Sequence, residues 1–364
     1  MIDSLKEIVT ASPSFYVGWG GLLIGVIFGF TVYRTNFCTM GSISDILSFG
    51  NFHRFRAWML AILVGIIGVV VLKLAGITDV ADSMYLTPNL NWLANIAGGL
   101  LFGFGMVFSG GCISRNLVRA GAGDLRSMVV LMITGMFAFM TIGGLLGPMR
   151  VGLFGPSAID LGESGAATQR VGDLLALFTG LSVETAGWIS VAVITAGLAY
   201  YVFKDRSFLR SGKDVTAGLV IGLAVVTGWT LTGLAQDDFA DVPVALASLT
   251  YVRPTGDTMD YLMRFTAYSA IPFGVVTLAG ALLGGFLGGL SRGRLHLTTF
   301  ADKSDSIRNM GGAALMGIGG VLAFGCTVGQ GLTGVSTLAV GSFLALLSII
   351  MGAVAGIKLI ERMA

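Results

Sequence analysis

The sequence predicts an all-α, polytopic membrane protein with about nine transmembrane helices and an inverted internal repeat. Composition is the first reason: of the 364 residues, 54% are hydrophobic and 12% are charged, about half the charged fraction of a typical soluble domain. The second reason is a series of apolar runs, each close to the length that crosses a bilayer. The third is a self-match between two distant segments, which indicates an internal repeat.

Nine apolar runs are candidate membrane spans, at about 20 residues each. They are residues 16–33, 57–75, 92–110, 128–147, 184–203, 215–234, 266–290, 309–325 and 341–360. The stretch 171–181 is too short to cross a bilayer, so we predict that it forms a surface or re-entrant helix.

Lysine and arginine in the connections predict the orientation, because cytoplasmic connections carry the excess of basic residues. The basic connections are 34–56, 113–127, 204–214 and 291–308, whereas 76–91 and 235–264 lean acidic. We interpret Asp237, Asp238 and Asp241 as part of a solvated outer loop. With nine spans this pattern places the N-terminus and the connection 148–183 outside and the C-terminus inside. The first residues, MIDSLKEIVTASPS, lack the basic start of a cleaved signal peptide.

The repeat relates the segment 95–112 to the segment 309–326, with identical residues at eight of the eighteen positions. Each copy is an apolar, glycine-rich helix that ends in Gly-Cys. On the orientation map the first copy runs inward and the second outward, so the repeat is inverted. Broken, inverted repeats are typical of transporters, which bind substrate where the two repeats meet.

A shorter match, GLLIG at 21–25 and GLVIG at 218–222, also runs in opposite directions on that map. The chain is therefore predicted to be a single membrane domain, 1–364. Its inverted halves cover roughly 15–147 and 184–361, and 148–183 joins them.

Cys112 and Cys326 are candidate site residues, because each ends a repeat copy at an equivalent helix break. Each of them alone could equally be a small, buried hydrophobic residue, and that interpretation stays open. However, Gly111 and Gly325 precede them and let the backbone approach a ligand. Helix N-termini at such breaks offer N–H groups to anions. With a polarisable thiol added, the pattern favours a soft, sulfur-bearing anion.

Other residues near the breaks leave two interpretations open. Cys38 follows the first span, either as a thiol at the cytoplasmic end of a path or as a loop cysteine at the membrane surface. Asn116 and Gln330 each follow their cysteine by four positions, and either line the break as amide donors or tie down the loop. Arg115 and Arg119 are assigned to topology, with guidance of an anion as the less favoured alternative.

The sequence lacks the marks of several other functions. Three widely spaced cysteines and two histidines predict no metal site, cofactor or disulfide framework. No basic run suggests binding to nucleic acid. The apolar spans contain almost no ionisable side chains, which argues against a proton relay through carboxylates. We therefore predict no catalytic residues and no enzymatic activity.

Three motifs, RTNFCTMG, GGCISR and FGCTVGQG, give the chain its resemblance to the YeeE/YedE family of sulfur transporters, in particular to thiosulfate-uptake members. The resemblance implies a bacterial inner-membrane protein with nine spanning helices, short partly inserted helices and inverted pseudo-symmetry. It implies that Cys38, Cys112 and Cys326 lie along a central path and pass thiosulfate on by S–H···S contacts. A separate small, soluble sulfur-carrier protein on the cytoplasmic side is a further implied partner.

The predicted function is uptake of thiosulfate, or a related reduced-sulfur anion, through the lipid bilayer. Moving a dianion inward against about 100 mV costs about 4.6 kcal/mol, so a co-transported cation or removal of the product inside must offset it. Transport of another sulfur or selenium species remains an alternative, as does a covalent persulfide relay. A membrane thiol oxidoreductase and a channel for water or small solutes are alternatives of other classes.

Overall fold

The structure, a computed structural model, describes residues 2–237 and 243–363. Its helices are α1 (Ile2–Ala11), α2 (Pro13–Thr35), α3 (Thr39–Phe49), α4 (His53–Leu74), α5 (Trp92–Phe108), α6 (Ile113–Gly121), α7 (Leu125–Ile142) and α8 (Gly147–Phe154). They continue with α9 (Val171–Thr179), α10 (Val183–Phe203), α11 (Arg206–Arg210), α12 (Gly212–Leu234), α13 (Val252–Met263), α14 (Phe273–Leu290), α15 (Lys303–Leu322) and α16 (Val340–Met363). The short strands β1 (Asn89–Leu90) and β2 (Ile159–Asp160) pair antiparallel.

Eight helical stretches of the described chain are long and apolar enough to cross a membrane, so the protein is an all-α, polytopic membrane protein. They are Pro13–Phe49, His53–Leu74, Trp92–Gly121, Leu125–Ile142, Val183–Phe203, Gly212–Leu234, Phe273–Leu290 and Val340–Arg362. Each overlaps one of the apolar runs in the sequence. The stretch 171–181 forms the short helix α9.

The remaining run, 309–325, lies in α15, which is not among the eight. Charged side chains at Lys303, Asp305 and Arg308 occupy the start of this helix, and glycines follow them, so its average hydropathy is low. It is nevertheless central, because it packs against both α5 and α7. Its apolar half is buried by other helices, and strong hydropathy is not needed there.

The two repeat copies, α5 and α15, pack antiparallel through their glycines. Gly98 lies against Gly319, and Gly105 lies against Gly312. A Cβ added at Gly105 would lie 2.6 Å from the Gly312 oxygen, and one added at Gly312 would lie 2.6 Å from the Gly105 oxygen. Gly98 and Gly312 are equivalent in the repeat, as are Gly105 and Gly319. When each glycine is replaced by its repeat equivalent, the Gly98–Gly319 contact becomes the Gly105–Gly312 contact. A local two-fold axis requires this relation.

The contacts of the surrounding helices follow the same two-fold relation. Helix α5 packs against α16 while α15 packs against α7, and α2 packs against α14 while α4 packs against α12. The contacts of α2 with α14 are backbone-close, because Gly25 faces Gly280 and Gly284 faces Val26. Small residues at membrane helix seams permit this approach, which explains much of the chain's high glycine content.

The connections lie in two groups. The four basic connections contact one another, through Arg56 and Asp205 at 2.7 Å, Arg292 and the Arg34 carbonyl at 2.6 Å, and a backbone bridge between Asp124 and Thr298. The other group includes 76–91 and 148–183, which are joined by the β1–β2 pair and by Gln169 donating to the Thr87 carbonyl. We call the first group the basic face. Of the acidic loop, Asp238 and Asp241 lie outside the described residues.

Asp124 caps the start of α7 on the basic face, and its carboxylate lies 2.7 Å from Arg119. Burial alone would raise the pKa of Asp124, but the hydrogen bond from Arg126 and the charges of Arg119 and Arg126 outweigh it and hold the pKa below the ordinary 3.8. A carboxylate whose pKa is lowered by folding stabilises the folded state at pH values above its unfolded pKa. This stabilisation is lost as the pH falls through the folded pKa.

We therefore expect Asp124→Asn to lower thermal stability at pH 7, by about 1.5 kcal/mol for lost charged hydrogen bonds. Asparagine still caps a helix, so the change isolates the charge. Thermal unfolding in detergent, compared between wild type and variant, should show a difference that shrinks below about pH 4. A difference that stays constant from pH 7 to pH 3 would contradict this account.

Candidate functional site

Both repeat copies break in the same way. Helices α5 and α15 end just before their Gly-Cys pairs, and the chain then passes through a left-handed residue. Gly110 has φ 75°, and Phe324 at the equivalent position has φ 58°. The following residues, Gly111 and Gly325, have φ of 152° and 159°. The sequence repeat is therefore also a repeat of backbone conformation, which brings each cysteine to the start of a new helical segment.

The three cysteines, all buried, lie at the N-terminal ends of short helical segments. Cys38 directly precedes α3, and Cys112 directly precedes α6, each in an extended conformation. Cys326 lies just before the π-helical turn Gly329–Gly334, and its Sγ accepts the N–H of Gly329 at 3.3 Å. Helix N-termini carry unpaired N–H groups and partial positive charge. Cys38 and Cys112 thus lie beside the unpaired N–H groups of α3 and α6.

Two of the thiols contact each other. The Sγ atoms of Cys38 and Cys112 are 3.8 Å apart, and Cys112 Sγ lies 3.2 Å from the Ser114 hydroxyl. Their positions in the chain are far apart and show no C-x-x-C spacing, so this close pair was not predicted. Cys38 is 1% exposed, so its thiol is covered by protein.

Cys326 has different neighbours. The phenol groups of Tyr85 and Tyr251 lie close enough to the sulfur to interact with it electrostatically. Both tyrosines are buried, and the Tyr251 hydroxyl has no hydrogen-bond partner among the described residues. No sequence pattern marks these two tyrosines as site residues, because they lie in connections outside the repeat.

Asn116 and Gln330 make the same hydrogen bond in the two halves. Nδ2 of Asn116 donates to the Ser109 carbonyl at 3.5 Å, and Nε2 of Gln330 donates to the carbonyl of Ala323, the repeat equivalent of Ser109. Both amides therefore tie down the loop, one of the two interpretations left open. They differ at the amide oxygen, because Asn116 Oδ1 accepts from Ser127 at 3.0 Å, whereas Gln330 Oε1 is buried with no partner among the described residues.

A cavity of about 330 Å³ lies beside Cys38 on the basic face, and we call it the basic vestibule. Its volume is that of about ten waters. Four arginines line it: Arg115, Arg119, Arg292 and Arg294. The Arg115 guanidinium lies close enough to the Cys38 sulfur to interact with it electrostatically. The side chain of Arg115 reaches that position by passing over Gly111, where an added Cβ would lie 2.8 Å from Arg115 Cδ.

The vestibule changes the interpretation of the arginines. Arg115 and Arg119 line a cavity beside the Cys38 thiol, a position that fits the less favoured interpretation, guidance of an anion, as well as a role in topology. Arg292 and Arg294 were visible in the sequence only as charge in a basic connection. Only folding brings that connection next to the first cysteine.

Comparison with known proteins shows the family of this chain. A family model described as sulphur transport matches residues 34–355. The chain belongs to this sulphur transport family. It is similar to a thiosulfate transporter, TsuA, of Spirochaeta thermophila, with 29% identity over 92% of this chain and 96% of the relative. It is also similar to a protein of the same name from Escherichia coli, with 26% identity over 91% of each chain.

A third relative is matched over a smaller part. The probable transporter YedE of Escherichia coli is 32% identical over 29% of this chain and 24% of its own length. Membership of the sulphur transport family makes this chain a membrane transport protein for sulfur compounds rather than an enzyme.

Proposed function

We propose that the chain carries thiosulfate, or a related reduced-sulfur anion, across the bacterial inner membrane along a path that includes Cys38, Cys112 and Cys326. The names of the two relatives that match nearly the whole chain support this substrate. The anion would be passed between thiols by S–H contacts, with no catalytic step. The observation that carries the proposal is that each of the three thiols is buried at a helix N-terminus.

The chemistry of the site suits this ion. Thiosulfate has a polarisable terminal sulfur and charged oxygens, so a thiol and backbone N–H groups can bind its two ends. These are weak partners compared with a buried charge pair, which favours passage over tight binding. The Sγ atoms of Cys38 and Cys112 lie 3.8 Å apart, which supports a relay in which one ion can contact two thiols in succession.

The basic vestibule supports inward transport. A dianion moving inward against about 100 mV is opposed by about 4.6 kcal/mol. Four arginines next to Cys38 would stabilise the anion where it arrives, but fixed charges do not change the free energy of net transfer. Net accumulation still needs a co-transported cation or removal of the product, for which a small, soluble sulfur-carrier protein on the cytoplasmic side is the proposed partner.

We propose that the halves, roughly 15–147 and 184–361, are inverted repeats in one membrane domain, joined by 148–183. The antiparallel packing of α5 on α15 and the exchanged partners of their glycines support this. The basic face would be cytoplasmic by the positive-inside rule. The N-terminus would then be periplasmic and the C-terminus cytoplasmic.

The proposal is tested by growth on thiosulfate as the sole sulfur source, in a bacterial host that lacks other thiosulfate uptake. Wild-type chain should restore growth, and radiolabelled thiosulfate should enter cells that express it. Competition by unlabelled sulfite, sulfide, selenite and selenate tests the alternative substrates. If the chain restores no growth and takes up one of these species instead, the substrate assignment is wrong.

Arg115→Gln should lower thiosulfate uptake at low substrate concentration about tenfold, because a charged hydrogen bond of about 1.5 kcal/mol at the vestibule is lost. Arg115→Lys keeps the charge and should recover part of the loss. The measurement is the initial rate of uptake against thiosulfate concentration. The control is Arg206→Gln, which removes an exposed arginine of the same face that does not line the vestibule. Equal losses in both glutamine variants would show that the effect is general surface charge.

A further inference from the structure

Two cavities meet at the end of the molecule away from the basic face. The smaller, about 30 Å³, is lined by neutral polar side chains that include Asn95, Gln169 and Gln330. The larger, about 210 Å³, is lined mostly by apolar groups together with Arg150 and Arg253. Met84 and Phe324 line both cavities. These two side chains therefore stand between a cavity with two arginines and the polar groups next to Cys326.

The small cavity is too narrow for the anion. A cavity of about 30 Å³ holds one water, whereas thiosulfate, with three oxygens and a second sulfur around its central atom, needs more room. The basic vestibule beside Cys38, at about 330 Å³, is an order of magnitude larger. The structure is thus open at the arginine-rich end and narrow at the other, and a side chain must move to admit an anion to Cys326.

The small cavity contains polar groups that lack partners. Gln330 is 3% exposed and Asn95 is 5% exposed. The side-chain oxygens Oε1 of Gln330 and Oδ1 of Asn95 are buried without a hydrogen-bond partner among the described residues. Leaving such atoms unpaired costs free energy, and native structures rarely do so without a reason. A transient occupant, water or the hydrated substrate, would satisfy them, as expected for a position on a path.

Phe324 is the unusual residue at this point. Its φ of 58° is left-handed, which is unfavourable for a bulky side chain. The other repeat copy has a glycine, Gly110, at the equivalent position with φ 75°, where the conformation has no such cost. Core packing does not account for the strain, because the ring is 40% exposed. Strain kept at a bulky residue indicates a functional constraint.

We propose that Phe324, together with Met84, is an outer gate that controls access from the arginine-lined cavity to Gln330, Asn95 and Cys326. The ring blocks the polar cavity in the closed state and must swing away for an anion to pass. The inference rests on the proposed function, since it assigns the gate to that path. The gate makes the two helix breaks unequal. The break at Gly110 lies on the side of the large basic vestibule, and the break at Phe324 lies beside the small cavity.

The test measures how fast Cys326 reacts with a negatively charged methanethiosulfonate in the purified, detergent-solubilised protein, with peptide mass spectrometry reading each cysteine separately. Phe324→Gly removes the ring and the backbone strain. If the wild-type gate is open less than about one-tenth of the time, removing it should raise the rate of Cys326 modification at least about tenfold. Cys38 and Cys112 should keep their wild-type rates. The matched control, Phe324→Leu, keeps a bulky side chain and should react slowly at Cys326.

Unchanged modification of Cys326 in Phe324→Gly overturns the proposal, as does an equal acceleration at all three cysteines, which would indicate general loosening. Met84→Ala gives a second measurement if the glycine variant does not fold, and it should also speed modification at Cys326 alone. Labelling does not require transport. A faster reaction at Cys326 in a protein that takes up no thiosulfate would therefore support the gate and contradict the proposed substrate.

Discussion

Replacing Cys112 by alanine is expected to abolish growth on thiosulfate and to reduce thiosulfate uptake by about a hundredfold or more, the equivalent of about 2.7 kcal/mol. Cys112 is fully buried, begins α6, and contacts both Cys38 and Ser114 through its sulfur. Alanine removes the S–H donor and the polarisable atom from the middle of the proposed relay. It leaves a small void at the position of the sulfur.

Cys112→Ser refines this prediction, because serine keeps a donor of similar size and loses only the soft sulfur. We expect a large loss of uptake in the serine variant as well. A matched control is Ser190→Ala, which removes one buried polar atom from α10, where Ser190 bonds only the Ala186 carbonyl. Membrane expression and thermal unfolding must be the same in all variants compared. If Cys112→Ala transports as well as wild type, the cysteine is a packing residue and the relay is wrong.

Replacing Gly312 by alanine is expected to damage the fold strongly. The added Cβ would lie 2.6 Å from the Gly105 oxygen and 2.6 Å from the Ser109 nitrogen. Both are backbone atoms of the central partner helix, so neither can rotate away. Overpacking costs typically 1–3 kcal/mol when side chains can adjust, so we expect about 3 kcal/mol or more here. The α5–α15 contact would have to separate, which also shifts both cysteine breaks.

The chain supplies the control at the neighbouring position. Gly311 lies on the same helix, and an added Cβ there would meet nothing within 4 Å. Gly311→Ala should be neutral or should stabilise the helix by up to about 1 kcal/mol. Fluorescence-detected size exclusion after heating would compare the two variants with wild type. Equal stability of the Gly311 and Gly312 variants would show that the two repeat copies do not pack as tightly as described.

Much of the fold was readable from the sequence because it depends on local properties. Length and hydropathy of the apolar runs determine which segments cross a bilayer, and eight such helices are present in the described chain. The repeat was visible because both copies need the same glycines at the same spacing. The apolar run in α15 was harder to assign, since a helix buried by protein on both sides does not need to be strongly hydrophobic.

The site was readable only in part. The repeat marked Cys112 and Cys326, and the resemblance to a known family added Cys38. The contact between Cys38 and Cys112 could not be predicted, because it joins two segments 74 positions apart. For Asn116 and Gln330, position suggested two roles, and only the hydrogen bonds show that both amides tie down their loops.

By itself, then, the sequence determined the class of protein, the apolar spans and the repeated Gly-Cys break, since hydropathy and spacing are properties of the chain. The tertiary structure alone decided which groups meet: the four arginines around Cys38, the two tyrosines near Cys326, and Phe324 between the two cavities at the other end. The physical reason is that these groups come from connections and helix ends with no common period. Their positions follow from how the helices pack, with the glycine seams setting how closely the two halves approach.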